Sequence, residues 1–378
     1  MKPAKRQQTE PEPFATIAIV GVGLMGGSLG LALRRSGYSG RILGVSRPET
    51  IAEAKRLGAI DEGFPREQLI EAASRADLIV LSSPIATIVD DLRQLGSASG
   101  KLRPGVVVTD VGSTKRAILE ASVGLPADAR FIGGHPLCGS EQRGVGAADP
   151  FLFQNAYYVL TPAPGVSEAE VARLGQFLGR TGARVVVLSA ADHDRIAATI
   201  SHLPQLLAVS LVQFLDDLGP NREHGVHLAA GGFRDMTRIA SSSFKVWRDI
   251  VETNQDVIED VLLRFLDSTR GALKGLKSER LEKIFDSAGR TRSEIPKDSK
   301  GFLSRLWDVL VVVEDKPGVI LRIATPLAAR GINIQDIEVL KVREGEAGTM
   351  RLAFATQALA REAISVLSAD GLVARLRE

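Results

Sequence analysis

The sequence predicts an α/β protein with three folded parts: a doubly wound parallel sheet, an all-helical domain and a C-terminal βαββαβ sandwich. Strand and helix patterns alternate from Thr16 to about Leu188, which is typical of a mostly parallel sheet. Strand patterns then vanish, and long helical patterns continue to about Ala288. From Leu306 onward the order is strand, helix, two strands, helix and strand, as in a ferredoxin-like fold.

A glycine-rich turn joins the first predicted strand, Ile17–Val20, to the helical pattern that follows it. In its GxGxxG spacing, the first glycine turns the backbone tightly, the second lets it approach a pyrophosphate, and the third lets the helix pack on the strand. The free N–H groups and positive dipole end of that helix then face the phosphates. In this strand–turn–helix context the pattern predicts a dinucleotide site. The residues that we assign to it are Gly21, Gly23, Leu24, Met25 and Gly26.

The end of the second predicted strand bears on the choice between NAD and NADP. An acidic residue there would bind the ribose 2′-hydroxyl of NAD, whereas an arginine can meet the 2′-phosphate of NADP. Ser46 and Arg47 stand at this place, so the pattern favours NADP. NAD remains the alternative if Arg47 only stacks on adenine or lies in solvent. Ser83 and Pro84 follow another strand and are expected to contact the same cofactor.

These patterns divide the chain into five segments. We expect a disordered tail (1–15), a dinucleotide-binding domain (16–189), a helical substrate and dimerisation domain (190–289), a linker (290–305) and the C-terminal sandwich (306–378). A helical domain placed after a dinucleotide-binding domain often supplies the other wall of a cleft and a dimer interface. We therefore expect a small-molecule substrate and a homodimer.

Composition excludes several other classes of protein. The 47 basic and 45 acidic residues give a net charge of +2 without a long basic block, so no nucleic-acid partner is indicated. The single cysteine, Cys138, excludes an internal disulfide and fits a reducing cytoplasm, and no Cys/His spacing suggests a metal site. The apolar stretch from Phe14 to Leu33 is interrupted by five glycines, so we interpret it as strand plus helix and not as a membrane anchor.

Two histidines stand in unusual settings. His135 lies in GGHPLCGSE, interpreted as a glycine-rich loop after a short strand, where the backbone is free to approach a ligand. Histidine can take a proton near neutral pH, although a loop histidine can also be structural. His202 lies in a helical pattern, and Gln205 shares its face if Pro204 leaves the helix continuous. A satisfied core histidine is the alternative for His202.

Asp235 and Arg238 are three residues apart in another helical pattern. An arginine that is oriented by an aspartate is a good clamp for a substrate carboxylate, because its planar guanidinium matches the two oxygens. A surface ion pair is the alternative.

Taken in order, these motifs resemble the prephenate/arogenate dehydrogenase family, whose nucleotide domain is of Rossmann type. The motifs are GVGLMGGS (21–28), DVGSTK (110–115), GGHPLCGSE (133–141), SHLP (201–204), AGGFRDMTRIA (230–240) and WRD (247–249). The resemblance covers roughly residues 16–285. In the tail, DKPG (315–318) and GINI (331–334) resemble an ACT domain, an amino-acid-sensing module.

The resemblance implies oxidative decarboxylation of prephenate to 4-hydroxyphenylpyruvate in tyrosine biosynthesis, with a hydride passed to NADP or NAD. His135 matches the base that removes the C4 hydroxyl proton, Ser113 matches the serine that helps to hold that hydroxyl and the histidine, and Arg238 matches the arginine that binds a carboxylate. Further residues are implied to surround or support the substrate: Ser140, Glu141, His202, Gln205, Asp235 and Trp247.

Some alternatives stay open at this point. Gln205 stands where many members have a second histidine, which leaves open how the pyruvyl side chain is held and whether arogenate replaces prephenate. A non-catalytic amino-acid-sensing regulatory protein is a further alternative, but the presence of His135, Ser113 and Arg238 argues against it. For the tail, the resemblance implies that an amino acid binds, and we hypothesise that this is tyrosine, the end product of the pathway, and that it lowers activity. A tail that only strengthens dimerisation is the alternative. The residues assigned to that effector are Asp315, Gly318, Asn333 and Ile334.

Overall fold

The computed structural model describes residues 12–98, 100–139, 142–276, 279–295, 306–314, 316–341 and 347–377. The chain divides into two compact units, residues 1–284 and 285–378. Each unit has its own sheet and its own apolar core, and the two are described separately.

A sheet that is covered on both faces forms the first part of unit one. Along β1 (Thr16–Val20), Ile17 and Ile19 pack into one apolar core, while Ala18 and Val20 pack into another on the opposite face. The other strands are β2 (Arg41–Val45), β3 (Glu62–Phe64), β4 (Leu78–Leu81), β5 (Val107–Asp110), β6 (Arg130–Pro136), β7 (Tyr157–Pro162) and β8 (Arg184–Val187). The strand order in the described residues is β3-β2-β1-β4-β5-β6-β7-β8, and only β6 and β7 are antiparallel neighbours. The predicted doubly wound, mostly parallel sheet is confirmed.

The strand that carries His135 is longer than predicted. The sequence predicts a strand near residues 131–132 and a loop around His135, but β6 continues to Pro136 because β7 pairs with it, and His135 lies opposite Val159. The helices between the strands are α1 (Leu24–Arg35), α2 (Pro48–Arg56), α3 (Leu69–Ser74), α4 (Ile85–Ser97), α5 (Arg116–Ser122) and α6 (Glu168–Gly179).

The rest of unit one is helical, as predicted, but its long helical patterns are broken. The first contains a π-helical turn, Ala198–His202, which ends two residues before Pro204, and proline cannot donate a backbone hydrogen bond. The second breaks at Asn254, whose backbone leaves the helical region. The helices are α7 (Ala190–Ala197), α8 (Leu203–Gln213), α9 (Arg222–Leu228), α10 (Gly231–Thr237), α11 (Phe244–Thr253) and α12 (Gln255–Lys274). A further helix, α13 (Glu279–Glu294), begins in unit one, continues into unit two and passes the predicted start of the linker at residue 290.

One stretch of the described residues, 190–228, is long and apolar enough by composition to cross a membrane. It is not a single regular helix, because the π-helical turn and Gly219, with φ of +53°, interrupt it. Two of its buried polar side chains, Asp194 and Gln205, are hydrogen-bonded to other parts of unit one. Its exposed apolar side chains include Ile196, Ile200, Val212, Phe214, Leu218, Val226 and Leu228.

Unit two contains the predicted βαββαβ order. Its elements are β9 (Trp307–Glu314), α14 (Val319–Ala329), β10 (Asp336–Lys341), β11 (Ala347–Phe354), α15 (Gln357–Ala369) and β12 (Val373–Leu376). The four strands form an antiparallel sheet in the order β10-β11-β9-β12 within the described residues. Val309 and Val311 pack under the helices against Ile323 and Leu367, which gives this small unit its core. The strand predicted from Ile332 begins only at Asp336.

Candidate active site

The glycine turn after β1 has the shape that a dinucleotide requires. Gly21 has φ of +92°, and a Cβ added there would lie 2.7 Å from the carbonyl oxygen of Ser82. Gly26 packs against the backbone of Gly21 and has no room for a side chain either. A Cβ at Gly23 would meet nothing within 4 Å, and no side chain caps α1 at this residue. Free helical N–H groups therefore face open space, which suits the pyrophosphate of a nicotinamide dinucleotide. Leu24 and Met25 are the first residues of α1.

An open cavity of about 680 Å³ lies beside the carboxyl end of β2. Arg47 and Arg143 both line it, and the Nε of Arg47 lies 3.4 Å from a carboxylate oxygen of Glu49. Glu49 and Glu53 also line the cavity, so its charge is mixed. In folds of this type the adenosine ribose of a dinucleotide binds at this end of the sheet. The other residues predicted to contact the cofactor follow β2 and β4 at the same edge: Ser46, Ser83 and Pro84.

His135 lies near the carboxyl end of β6 with one ring nitrogen already engaged. Its Nδ1 is 2.8 Å from the Nε2 of His193 in α7, and the two rings meet edge to face at 5.0 Å. Burial, together with nearby His193, Lys115 and His202, holds the pKa of His135 well below its ordinary value. The side chain is therefore neutral at neutral pH and can accept a proton. Its Nε2 is the ring nitrogen left for a ligand.

A buried ion pair braces the segments on either side of this histidine. The carboxylate of Asp110, at the end of β5, accepts N–H bonds from Gly112 at 2.7 Å and from Gly134 at 3.0 Å. The ammonium of Lys115 pairs with Asp110 and donates to the Gly134 carbonyl oxygen at 2.6 Å. These contacts fix the 110–115 segment, which carries half-buried Ser113, to the strand of His135. Among the described residues, Ser113 itself makes no hydrogen bond to His135.

His193 and Asp194 are functional candidates that sequence reasoning missed. Both are buried, and His193 Nδ1 lies 2.8 Å from Oδ1 of Asp194. The Asp194 carboxylate also accepts the backbone N–H groups of Lys115 and Arg116, at 2.7 and 2.9 Å. Although burial alone would raise the pKa of Asp194, the hydrogen bonds from His193 and from these two N–H groups hold it below its usual range. The spacing between residues 135 and 193 gives no signal of contact, because only the fold brings α7 to β6.

His202 lies in the π-helical turn and is almost fully buried. Its ring meets Trp247 edge to face at 5.8 Å, and its Nδ1 is 3.4 Å from the side-chain nitrogen of Asn254. Burial is the main cause that lowers the pKa of His202 to about 4. The residue is thus a neutral histidine with a hydrogen-bond partner, next to the His193–Asp194 pair. Half-buried Trp247 lies on α11 beside it.

Arg238, the predicted carboxylate-binding residue, lies in an exposed 3-10 turn, Arg238–Ser241. Asp235 is exposed as well, and in the described part of the chain no ion pair joins it to Arg238. Buried Gln205 donates from Nε2 to the carbonyl oxygen of Ile239 at 3.0 Å, which ties this turn to α8. The arrangement leaves the guanidinium of Arg238 accessible to an anionic ligand.

Three predicted site residues, Ser140, Glu141 and Asp315, lie outside the described residues. In unit two, Gly318 has φ of +90° directly before α14, with nothing within 4 Å of an added Cβ. Asn333 is exposed and Ile334 is half-buried. No group of three or more candidate metal ligands occurs among the residues that the structure describes.

Comparison with protein families gives three matches along the chain. Residues 29–187 match the model for the prephenate dehydrogenase nucleotide-binding domain, and residues 189–288 match the model for the prephenate dehydrogenase dimerization domain. Residues 307–364 match the ACT domain. These matches agree with the three parts predicted from the sequence.

Similar proteins cover most of the chain. The prephenate dehydrogenase of Bacillus subtilis is 37% identical over 347 residues, which are 90% of this chain and 92% of the relative. The arogenate dehydrogenase of Synechocystis is similar in structure, with a TM-score of 0.66 and 31% identity over 74% of this chain and 99% of its own. The prephenate dehydrogenase of A. aeolicus, solved in complex with hydroxyphenyl propionate and NAD+, has a TM-score of 0.63 and 29% identity over 76% of this chain and 98% of its own.

Proposed function

Because the chain belongs to the prephenate dehydrogenase family, we propose that it converts prephenate to 4-hydroxyphenylpyruvate and carbon dioxide with transfer of a hydride to a nicotinamide cofactor. The observation that carries this proposal within the site is neutral His135 near the carboxyl end of the sheet, with Nδ1 engaged and Nε2 left for a substrate hydroxyl. Ligands of doubly wound sheets bind at this edge, where the cofactor turn also lies.

Residues of this chain accept the hydroxyl proton of the substrate and bind its carboxylate. When bound, the nicotinamide supplies the acceptor for the hydride that leaves C4 of the substrate ring. His135 accepts the C4 hydroxyl proton on Nε2, and Ser113 helps to hold that hydroxyl. Arg238 binds a substrate carboxylate, which orients the ring for the reaction. Loss of carbon dioxide from C1 leaves its electron pair in the ring, the ring becomes aromatic, and His135 returns the proton to the phenol oxygen.

The choice between prephenate and arogenate depends on the side chain at C1. Arogenate carries an amino group where prephenate carries a keto oxygen, and the Synechocystis structural relative is an arogenate dehydrogenase. Prephenate is the proposed substrate here because the B. subtilis relative, which covers more of this chain, is a prephenate dehydrogenase. Arogenate is the second candidate.

We propose that NADP is the preferred cofactor. Arg47 and Arg143 line one cavity at the end of β2, where the 2′-phosphate of NADP would bind. Two guanidinium groups can share the charge of a phosphate dianion, and each can bind two of its oxygens. Glu49 and Glu53 oppose this preference, and NAD is the alternative.

The exposed apolar side chains of the helical part support a homodimer. Phe214 is 69% exposed and Leu228 is 78% exposed, and they belong to a stretch that also presents Ile200 and Val226 to solvent. Apolar surface of this extent is typical of a protein interface. The match of residues 189–288 to a dimerization domain supports the same interpretation. We propose that a second copy covers these side chains and that the enzyme works in the cytoplasm.

Unit two is proposed to bind tyrosine, the end product of the pathway, and to lower activity. Nothing lies within 4 Å of a Cβ added at Gly318, so a carboxylate can approach the positive end of α14, and exposed Asn333 offers an amide. Deletion of residues 306–378 should abolish inhibition by tyrosine while the protein remains dimeric by light scattering. Equal inhibition of the full-length and truncated enzymes would instead indicate competition at the active site.

One assay tests the proposed function as a whole. Initial rates are measured at 340 nm with prephenate and with arogenate, each with NAD and with NADP. Prephenate with NADP is expected to give the highest kcat/KM. Absence of turnover with all four pairs would favour the non-catalytic sensing protein.

A further inference from the structure

Two buried side chains, His193 and Asp194, form a hydrogen-bonded network behind the candidate base His135. His135 Nδ1 meets His193 Nε2 at 2.8 Å, and His193 Nδ1 meets Oδ1 of Asp194 at 2.8 Å. His193 is 2% exposed and Asp194 is 0% exposed, so water does not replace these contacts. This hydrogen-bonded network ends at the N-terminus of α5, where Asp194 accepts hydrogen bonds from the backbone N–H groups of Lys115 and Arg116.

The partners of Asp194 determine where the protons lie along this network. Both carboxylate oxygens accept backbone N–H groups whose directions are fixed by the main chain, so Asp194 acts as an acceptor only. His193 must then donate from Nδ1, and a neutral imidazole that donates from one nitrogen accepts at the other. The Nε2 of His193 therefore accepts the Nδ1–H of His135.

We propose that His193 and Asp194 are positioning residues that fix the tautomer of His135 and stabilise its protonated form. This proposal rests on the proposed function, in which His135 is the base. With the proton on Nδ1, the lone pair of His135 lies on Nε2 and faces the substrate hydroxyl. When Nε2 accepts the substrate proton, the charge on His135 is opposed through His193 by the Asp194 carboxylate. The substrate proton stays on Nε2 of His135, is not released to solvent, and returns to the product.

Other charged groups around His135 do not supply this effect. The ammonium of Lys115 is already paired with Asp110 and opposes a positive charge on His135, and a positive charge on His193 would oppose it in the same way. A neutral His193 that donates to Asp194 instead accepts the Nδ1–H of His135 and so stabilises its protonated form. His202 belongs to the π-helical turn and has its own partner, Asn254. Among the described residues, the titratable and charged groups around His135 and Asp194 are thus Asp110, Lys115, Arg116, His193, Asp194 and His202, and the Nε of Arg116 lies 3.5 Å from the Asp194 carboxylate.

The test compares His193→Phe, which removes the acceptor, with His193→Gln, whose side-chain oxygen can accept the same hydrogen bond. In His193→Phe, kcat should fall about 10- to 100-fold, as when a group that orients a histidine is lost. The acid limb of kcat/KM should move to lower pH, since protonated His135 loses its support. His193→Gln should restore part of kcat and return the limb toward its wild-type position. His224→Gln changes an exposed histidine on α9 and is the matched control.

A second readout does not depend on turnover. In the full chain labelled with ¹⁵N-histidine, the ring of His135 should carry its proton on Nδ1, and this preference should be lost in His193→Phe. Wild-type His135 protonated on Nε2 would overturn the proposal, as would a pH limb that is the same in both His193 variants and the wild type. If the predicted tautomer is found but no substrate turns over, the proposed function fails and the tautomer assignment stands.

Discussion

The two ends of the candidate substrate site are built in opposite ways. At the His135 end, the reactive side chain is held by buried partners, and His193, Asp194 and Lys115 are all almost inaccessible to water. At the Arg238 end, the side chain is exposed in a short 3-10 turn and, among the described residues, has no ion-pair partner. The side chains around the proposed base are therefore held by contacts within one chain, whereas the proposed carboxylate-binding arginine is accessible to solvent.

This difference has a physical reason. A histidine base must be neutral at the working pH and must keep its lone pair on the nitrogen that faces the substrate. Burial favours the neutral form, and fixed hydrogen bonds set the tautomer. A carboxylate clamp has to remain accessible to an anion, and an arginine stays charged in water without any help from the protein. Substitutions at the buried end should therefore change kcat, and substitutions at the open end should change KM.

The largest effect is expected at His135. His135→Asn should lower kcat about 100-fold or more, in the range that loss of a general base costs. Binding of the cofactor, measured by fluorescence titration, should not change, because the glycine turn is intact. As the pH is lowered through 6.5, the ordinary pKa of a histidine, the wild-type kcat/KM should stay constant. It should decrease only at a still lower pH, because burial lowers the pKa of His135. Near-normal turnover of the variant at several pH values would show that another group is the base.

Arg238→Ala tests the open end. Loss of a charge-assisted hydrogen bond worth about 1.5–3 kcal/mol should raise KM for prephenate about 10- to 150-fold. The KM for the cofactor and kcat should change little. Arg234→Ala removes an exposed arginine from α10, one turn earlier, and serves as the control. A proportionate loss for substrate and cofactor would point to a folding defect and remove the assignment.

The cofactor cavity offers a second exposed arginine site for the same comparison. Arg47→Ala and Arg143→Ala should each raise KM for NADP about 10-fold and leave KM for NAD nearly unchanged, because only NADP carries the 2′-phosphate. Lys55→Ala, on the exposed side of α2, is the control for loss of one positive charge. Equal effects on both cofactors would mean that these arginines do not distinguish them, and NAD would become the preferred assignment.

The sequence predicts the local features of this molecule better than the contacts between residues that are distant in sequence. Glycine spacing and alternating strand and helix patterns are local, so the doubly wound sheet and the turn at Gly21–Gly26 can be predicted. The His193–Asp194 pair cannot, because its contact with His135 crosses 58 residues and depends on how α7 packs beside β6. The shape of the strand at His135 fails for the same reason: its extension depends on antiparallel pairing with β7.

The smallest effect concerns Gln205, which joins the two ends. It is buried three residues after His202, and its Nε2 donates to the Ile239 carbonyl oxygen in the turn that contains Arg238. Gln205→Leu should therefore raise KM for prephenate about 2- to 10-fold, the value of one neutral hydrogen bond, with kcat unchanged.

A double variant separates an indirect role of Gln205 from contact with the substrate. If Gln205 acts through the position of Arg238, adding Gln205→Leu to Arg238→Ala should change KM no further, because the guanidinium that the turn positions is already absent. If Gln205 instead binds the pyruvyl side chain, as the family resemblance implies, the two increases in KM should multiply. Multiplication would also mean that the buried end of the site contacts the substrate side chain as well as the ring hydroxyl. Substitutions at the buried end would then change KM as well as kcat, although the exposure of His135 and Arg238 predicts that kcat depends on the buried end and KM on the exposed end.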